Sequence, residues 1–162
     1  NAYGESVADL RYPPAALARL LLDAREPFAF ITGGSHFTTL REGLADDIAR
    51  TRNLVPLLDD PAAAAYLLPG AAWARRVSGM FANHLALAHP GRAHAILTHH
   101  SSGGYTVSVR APMTSPDGAD MLCRQFENGG GRKAAAGINS LPATAVEEFL
   151  RRFAEHFAGL KA

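Results

Sequence analysis

The chain of 162 residues is long enough to bury one hydrophobic core, and its composition, 48% hydrophobic and 19% charged, excludes a disordered protein. A formal net charge of +1 argues against a sequence-wide affinity for nucleic acid but is compatible with a local basic site. No apolar run reaches the roughly 18 residues that a membrane span needs, so no membrane partner is expected. The single cysteine, Cys123, excludes an internal disulfide and favours a reducing, cytoplasmic setting.

The first third of the chain is predicted to be helical. The chain starts at Asn1 without methionine or a signal-like segment, which we interpret as a piece cut from a longer protein. A first helix follows Pro13, and the pair Glu26–Pro27 ends it. A second, amphipathic helix ends near Arg52, and its apolar face comprises Phe37, Leu40, Leu44 and Ile48. Residues 1–60 are therefore predicted to form a helical connector.

Residues 61–162 alternate between strand and helix patterns, with a weak strand at 66–68 and a helix over 77–88. Buried strands at 93–98 and 105–109 are joined by glycines and predict a hairpin. A further helix is predicted to be capped at Ser115, a third strand to span 137–141, and a last helix to open with a capping box at Thr144. The apolar face of that helix comprises Val146, Phe149, Leu150, Phe153 and Phe157. The predicted fold is α/β, a mixed β-sheet flanked by helices and preceded by the connector.

The most unusual stretch lies between the last two predicted helices and contains three consecutive glycines. Glycines let a ligand approach the backbone, and their N–H groups can converge on an anion. The alanines that follow are small enough for a helical turn to pack tightly on a sheet, and such a turn would add an anion site. Arg132 and Lys133 would place two positive charges at the same edge of this stretch, and such a pair suits phosphate binding. The candidate residues are Asn128, Gly129, Gly130, Gly131, Arg132 and Lys133.

The order of motifs resembles a known family. A strand that ends in Ser108-Val109-Arg110-Ala111 precedes a helix and then Gly129 to Gly137. This order is similar to the DHH-associated domain of the glycine-motif type, which follows the catalytic domain in DHH phosphoesterases and has S-x-R-[SA] followed by G-G-G-H-x-x-A-A-G. The matching residues are Ser108, Arg110, Gly129, Gly130, Gly131, Ala135, Ala136 and Gly137. The segment 76–79 with Asn83 also looks like the upstream part of one branch of this family.

The resemblance implies that Ser108 and Arg110 contact a substrate phosphate beside the glycines. The family usually has histidine where this chain has Arg132, which keeps a grip on phosphate but cannot shuttle protons near neutral pH. Family members hydrolyse phosphodiesters with two divalent metals, manganese or a similar ion, in the DHH domain. That domain would be the chain's partner and is absent here, so no cofactor is assigned to this chain and it is expected to bind substrate without cleaving it.

Other reactive residues are interpreted mainly as structural. A metal site of His94, His99 and His100 is a minor alternative, because successive strand residues point to opposite faces. Cys123 is read as a small core residue, and Trp73 as a packing anchor, with base stacking as an alternative. The adjacent aspartates at 46–47 and 59–60 are read as solvated surface.

Three functions stay open on the sequence alone. The favoured one is a substrate-binding half that grips the phosphate of a nucleotide or short oligonucleotide, because long nucleic acid needs many phosphate contacts. The second is an RNA-binding module without a hydrolytic partner, since a fold does not by itself imply an activity. The third is a packing or homodimerisation module that uses Phe28, Phe30 and Ile31.

Overall fold

A six-stranded mixed sheet organises the computed structural model, which describes residues 4–159. The strands lie in the order β1-β2-β3-β4-β6-β5, and only β2 and β3 run parallel. The predicted α/β class is confirmed. The elements are α1 (Pro14–Asp23), α2 (Pro27–Thr32), α3 (Ser35–Ala49), β1 (Pro56–Asp59), β2 (Ala63–Leu68), α4 (Ala72–Ala88), β3 (Ala93–His99), β4 (Tyr105–Arg110), α5 (Ala119–Cys123), β5 (Gly129–Arg132), β6 (Ala135–Leu141) and α6 (Val146–Gly159).

The two faces of the sheet are covered by different helices. On one face, α6 buries Phe149, Phe153 and Phe157 completely against the strands, because these residues recur at helical spacing. Leu122 and Cys123 of α5 join the same cluster. On the other face α4 forms a smaller cluster, with Leu68, Ala74, Phe81, Ala82, Leu85 and Ile96. This second cluster does not extend over β4. The residues of β4 that face α4 are therefore partly exposed.

Several elements differ from the sequence prediction at their edges. Strand β2 starts at Ala63, although alanine has a low β-propensity, because complete burial between the helical layers decides its conformation. Strand β1 lies within the predicted helical connector. Helix α5 follows Gly118, which adopts a left-handed conformation, and not Ser115. A 3₁₀ turn over Ala143–Ala145 leads into α6, so Thr144 lies inside that turn and not at an N-cap.

The predicted helices of the first third are confirmed, and α1 has Pro14 at its first position. Helix α3 is anchored by Asp47, whose interpretation as solvated surface was wrong: this residue is 3% exposed. Arg76 of α4 donates two hydrogen bonds to its carboxylate, at 2.8 and 2.9 Å, and Arg11 donates a third at 3.0 Å. Arg75 makes a similar pair of 2.8 Å bonds to Asp9, which lowers the pKa of Asp9 to about 2.

Trp73 and the aspartates at 59–60 also make structural contacts. Trp73 packs against the second cluster beneath the guanidinium of Arg50, which confirms a packing role. Asp59 forms an ion pair with Arg92, and the Asp60 carboxylate accepts a bond from the Ala62 N–H in the turn before β2. No described helix combines the length and the apolar run that crossing a bilayer requires.

Replacement of Asp47 by asparagine should destabilise the chain by about 3 kcal/mol, because two arginines then lose their buried counter-charge. Urea denaturation followed by circular dichroism measures the change in the free energy of unfolding. The matched control is Asp46→Asn at the adjacent exposed position, which should leave that free energy within about 0.5 kcal/mol of the wild type. Equal effects of the two substitutions would contradict the role assigned to Asp47.

Candidate functional site

The end of β4 carries the first part of the site. Alternation along the strand turns Val107 and Val109 into the core and leaves Ser108 and Arg110 on the α4 side, where both are partly exposed. The guanidinium of Arg110 donates to the Ser108 hydroxyl at 2.9 Å and to the amide oxygen of Asn83 at 3.0 Å. Asn83 is exposed on α4. The three side chains therefore form one hydrogen-bonded group with a positive charge, and they can donate hydrogen bonds to an anion.

Strand pairing extends this open face towards the edge of the sheet. Ser108 pairs with Gly137 of β6, which in turn pairs with Gly130 of β5. Directly paired residues of antiparallel strands share a face, so two glycines lie in line beside the serine hydroxyl. A Cβ added to Gly130 would meet no atom within 4 Å. The result is a floor without side chains next to the Ser108 hydroxyl, and this floor is open at Gly130.

The neighbouring row of the same face brings a second cation. Arg110 pairs with Ala135 of β6, and Ala135 pairs with Arg132 of β5. The two arginine Cα atoms are thus separated by two strand spacings, or about 10 Å. The Arg132 side chain is exposed, and it forms no ion pair or hydrogen bond with the residues described, 4 to 159. Its charge is therefore available to a ligand that lies across the glycine floor.

The glycine stretch is an edge strand, and the predicted helical turn after it was wrong. Lys133 and Ala134 form a two-residue turn between β5 and β6, and the alanines that follow continue in β6. In a ladder, successive N–H groups alternate in direction and do not converge on one anion. Lys133 forms a 3.0 Å ion pair with Asp117 on the protein surface, so the carboxylate partly offsets its charge.

The three glycines have different roles. A Cβ on Gly129 would lie 1.9 Å from the carbonyl oxygen of Cys123, so this glycine lets α5 approach the sheet. Gly131 has φ of +146° and lies against Ala136. Asn128 adopts a left-handed backbone with φ of 58°, and its carbonyl oxygen accepts a bond from the Asn139 N–H. Of this stretch, Gly130 and Arg132 face the open side, whereas the other positions shape the strand.

A polar pocket that the sequence analysis missed lies beside Thr106, two residues before Ser108 on β4. It has a volume of about 280 Å³ and is called here the hydroxyl pocket; its lining includes Glu5, Arg75, Ser78, Thr98, His100 and Thr106. Thr106 precedes Ser108 by two residues on β4 and pairs with Thr98 of β3, so all three hydroxyls share a face. The alternation of polar residues along β4 was the available signal, but Glu5 is brought in by tertiary folding.

Of the three candidate histidines, His99 and His100 both line the hydroxyl pocket, whereas His94 does not. His94 is fully buried on the α4 side, burial lowers its pKa to about 4, and neither ring nitrogen has a partner among residues 4–159. His99 contacts Tyr105, and His100 follows the end of the strand, where it bonds to Ser102. Within the described part of the chain, no group of three or more His, Cys, Asp or Glu side chains could hold a metal ion.

Two further features lie away from this face. Cys123 is fully buried, and burial raises the pKa of its thiol to about 12, which confirms its reading as a core residue. An open apolar groove of about 690 Å³ lies between the N-terminal helices, lined by Leu21, Phe30, Ile31, Phe37, Leu40 and Leu44. Phe28 is 71% exposed beside it. The packing or homodimerisation role of these helices stays a prediction.

Comparison with known proteins gives matches to solved structures alone; no family model and no curated protein matches. The chain is similar to the manganese-bound exonuclease RecJ, with a TM-score of 0.59 and 25% identity over 94% of this chain and 38% of that one. RecJ of Thermus thermophilus in complex with Mg²⁺ has a TM-score of 0.60 and 24% identity over 87% of this chain and 22% of that one. A pGpG-specific phosphodiesterase from Vibrio cholerae has a TM-score of 0.57 and 11% identity over 91% of this chain and 53% of that one, which shows a shared fold.

The likeness to the manganese-bound RecJ, at 25% identity, supports the DHH superfamily, and the other two structures show the shared fold. The chain spans between 22% and 53% of their lengths. It therefore corresponds to one part of these larger proteins, and the described residues contain the sheet on which the Ser108–Arg110 group lies.

Alanine substitutions distinguish Gly129, which lies against α5, from Gly130, which faces open space. Gly129→Ala should destabilise the chain by about 1–3 kcal/mol, because its methyl group collides with the backbone of α5. Gly130→Ala, the matched control, should change stability by less than about 1 kcal/mol, because its methyl group enters open space. Thermal and urea denaturation measure both. A Gly129→Ala variant as stable as the wild type would refute the close approach of α5.

Proposed function

We propose that this chain is the substrate-binding part of a DHH-family phosphoesterase, and that it holds the phosphate of a nucleotide or short oligonucleotide on the open face of its sheet. The observation that carries the proposal is the Arg110–Ser108–Asn83 group, with Arg132 on the same face across a floor of small residues. Arginine suits phosphate because its planar guanidinium can form two parallel hydrogen bonds. The serine hydroxyl and the floor without side chains let the anion approach closely.

The distribution of charge favours a small ligand. Most cations of the sheet domain are paired with carboxylates, so they do not form a continuous basic surface; these are Arg75, Arg76, Arg92, Arg124, Lys133, Arg151 and Arg152. Long nucleic acid requires many phosphate contacts, whereas Arg110 and Arg132 can serve one or two. An RNA-binding module without a hydrolytic partner is less well supported for the same reason.

Hydrolysis is assigned to a separate domain. The described residues of this chain offer no group of side chains suited to hold a divalent ion, so the proposal assigns no metal-dependent step to them. The RecJ structures contain manganese and Mg²⁺. The proposal therefore places a divalent ion, manganese or a similar one, in an N-terminal DHH domain that would be the chain's partner in the whole protein. The same proposal locates that protein in the cytoplasm, where Cys123 would remain a thiol.

Calorimetric titration with a mononucleotide, a 5′-phosphorylated dinucleotide and a short oligonucleotide tests phosphate binding. Arg110→Ala should weaken the affinity for the best ligand at least about 10-fold, since a charge-assisted hydrogen bond contributes about 1.5–3 kcal/mol. Arg124→Ala is the matched control, because Arg124 is exposed directly after α5, at the other face of the sheet. Equal affinities of the Arg110→Ala variant and the wild type would refute the proposed site.

The departure from the family motif can be tested by restoring it. Arg132→His should bind the same ligand more tightly at pH 5.5 than at pH 8, because histidine gains its charge as the pH falls through about 6.5. The wild type supplies the reference for the ligand's own phosphate, which titrates near pH 6, since arginine keeps its charge over this range; relative to it, Arg132→His should favour pH 5.5. Titrations at the two pH values measure the ratio for each protein. An identical ratio in both proteins would show that the side chain at position 132 does not contact the anion.

A further inference from the structure

The hydroxyl pocket continues the face on which phosphate would bind. Thr106 and Ser108 are two residues apart on β4, which corresponds to about 7 Å along the strand. The Ser78 hydroxyl of α4 and the Thr98 hydroxyl of β3 line the same pocket. Hydroxyl groups both donate and accept hydrogen bonds, so they suit a ligand that itself carries hydroxyls. The pocket is thus one short step from the Arg110–Ser108 group.

The charge of the hydroxyl pocket differs from that of the phosphate site. The Glu5 carboxylate accepts a hydrogen bond from the Ser101 N–H at 3.1 Å. Hydrogen bonding with the side chain and the backbone of Ser101 lowers the pKa of Glu5, which is therefore ionised at neutral pH. Arg75 lies 3.8 Å from this carboxylate but makes its two short hydrogen bonds to Asp9. Within the lining, Glu5 and Arg75 offset each other, and the His100 Nε2 atom lies 3.9 Å from the Glu5 carboxylate. A pocket that offers a carboxylate and several hydroxyls suits a neutral group with hydroxyl donors.

We propose that the hydroxyl pocket binds the sugar of the nucleotide whose phosphate is held by Arg110 and Ser108, and that it prefers ribose to deoxyribose. The inference rests on the proposed phosphate site. Carboxylates are suited to ribose hydroxyls because they accept hydrogen bonds from them. A ribose 2′-hydroxyl would add one such bond that deoxyribose lacks. The volume of about 280 Å³ holds a sugar and part of a base, which limits the ligand to the end of a strand or to a mononucleotide.

The test compares the affinities of this chain for adenosine 5′-phosphate and 2′-deoxyadenosine 5′-phosphate, two ligands that differ by one hydroxyl. The ribonucleotide should bind roughly 10-fold more tightly, as expected for one hydrogen bond in a partly enclosed site. Glu5→Gln and Ser78→Ala should each reduce this ratio, because they should weaken the ribonucleotide more than the deoxynucleotide. Ser78 makes its described hydrogen bond within its own helix, so its loss should not disturb the fold.

Controls distinguish the pocket from the phosphate site. Glu147→Gln removes the same charge on α6, at the opposite face, and should leave the ratio unchanged. Arg110→Ala should weaken both nucleotides and preserve their ratio. Equal affinities of the wild type for the two nucleotides, or a ratio that both pocket variants leave intact, would overturn the sugar site while the phosphate site stands. If neither nucleotide bound to the wild type, the proposed function itself would fail, and the sugar site with it.

Discussion

The pairing register of β4 is the constraint on which the site depends. Val107 and Val109 must face the helices α5 and α6, and this requirement fixes Ser108 and Arg110 on the other face. A slip of one residue would exchange the two sets and expose the valines. The same register continues through β6 to β5 and places Arg132 in line with Arg110. A packing requirement on one side of the sheet thereby determines the order of polar groups on the other.

The elements with strong periodicity could be predicted from sequence. The apolar face of α6 and the strand pattern of β4 are unambiguous. Burial on one side makes apolar residues recur with the period of a helix or of a strand, and this period identifies the element. The glycine stretch was predicted as a candidate binding segment but not as a strand. Its residues have low β-propensity, and it forms an edge strand only because it pairs with β6. The alanines of β2 were missed for a similar reason.

The polar contacts between distant residues were beyond sequence analysis. Asp47 lies next to exposed Asp46 in the sequence, and only the approach of α4 distinguishes the two. Glu5 lines the hydroxyl pocket because the N-terminal segment crosses the end of β3. Ser108 and Arg110, in contrast, were named together by the family resemblance; the structure shows a hydrogen bond between them and adds Asn83 as a partner of Arg110.

The carboxylate of Asp47 serves two arginines from different segments, Arg11 before α1 and Arg76 in α4. These three positions cannot vary independently during evolution, because each single change leaves a buried charge without its complement. They should be inherited as a unit, and a lineage that loses the acid should also replace both bases by neutral residues. Covariation among positions 11, 47 and 76 in related sequences would then indicate how long the N-terminal helices have packed against this sheet.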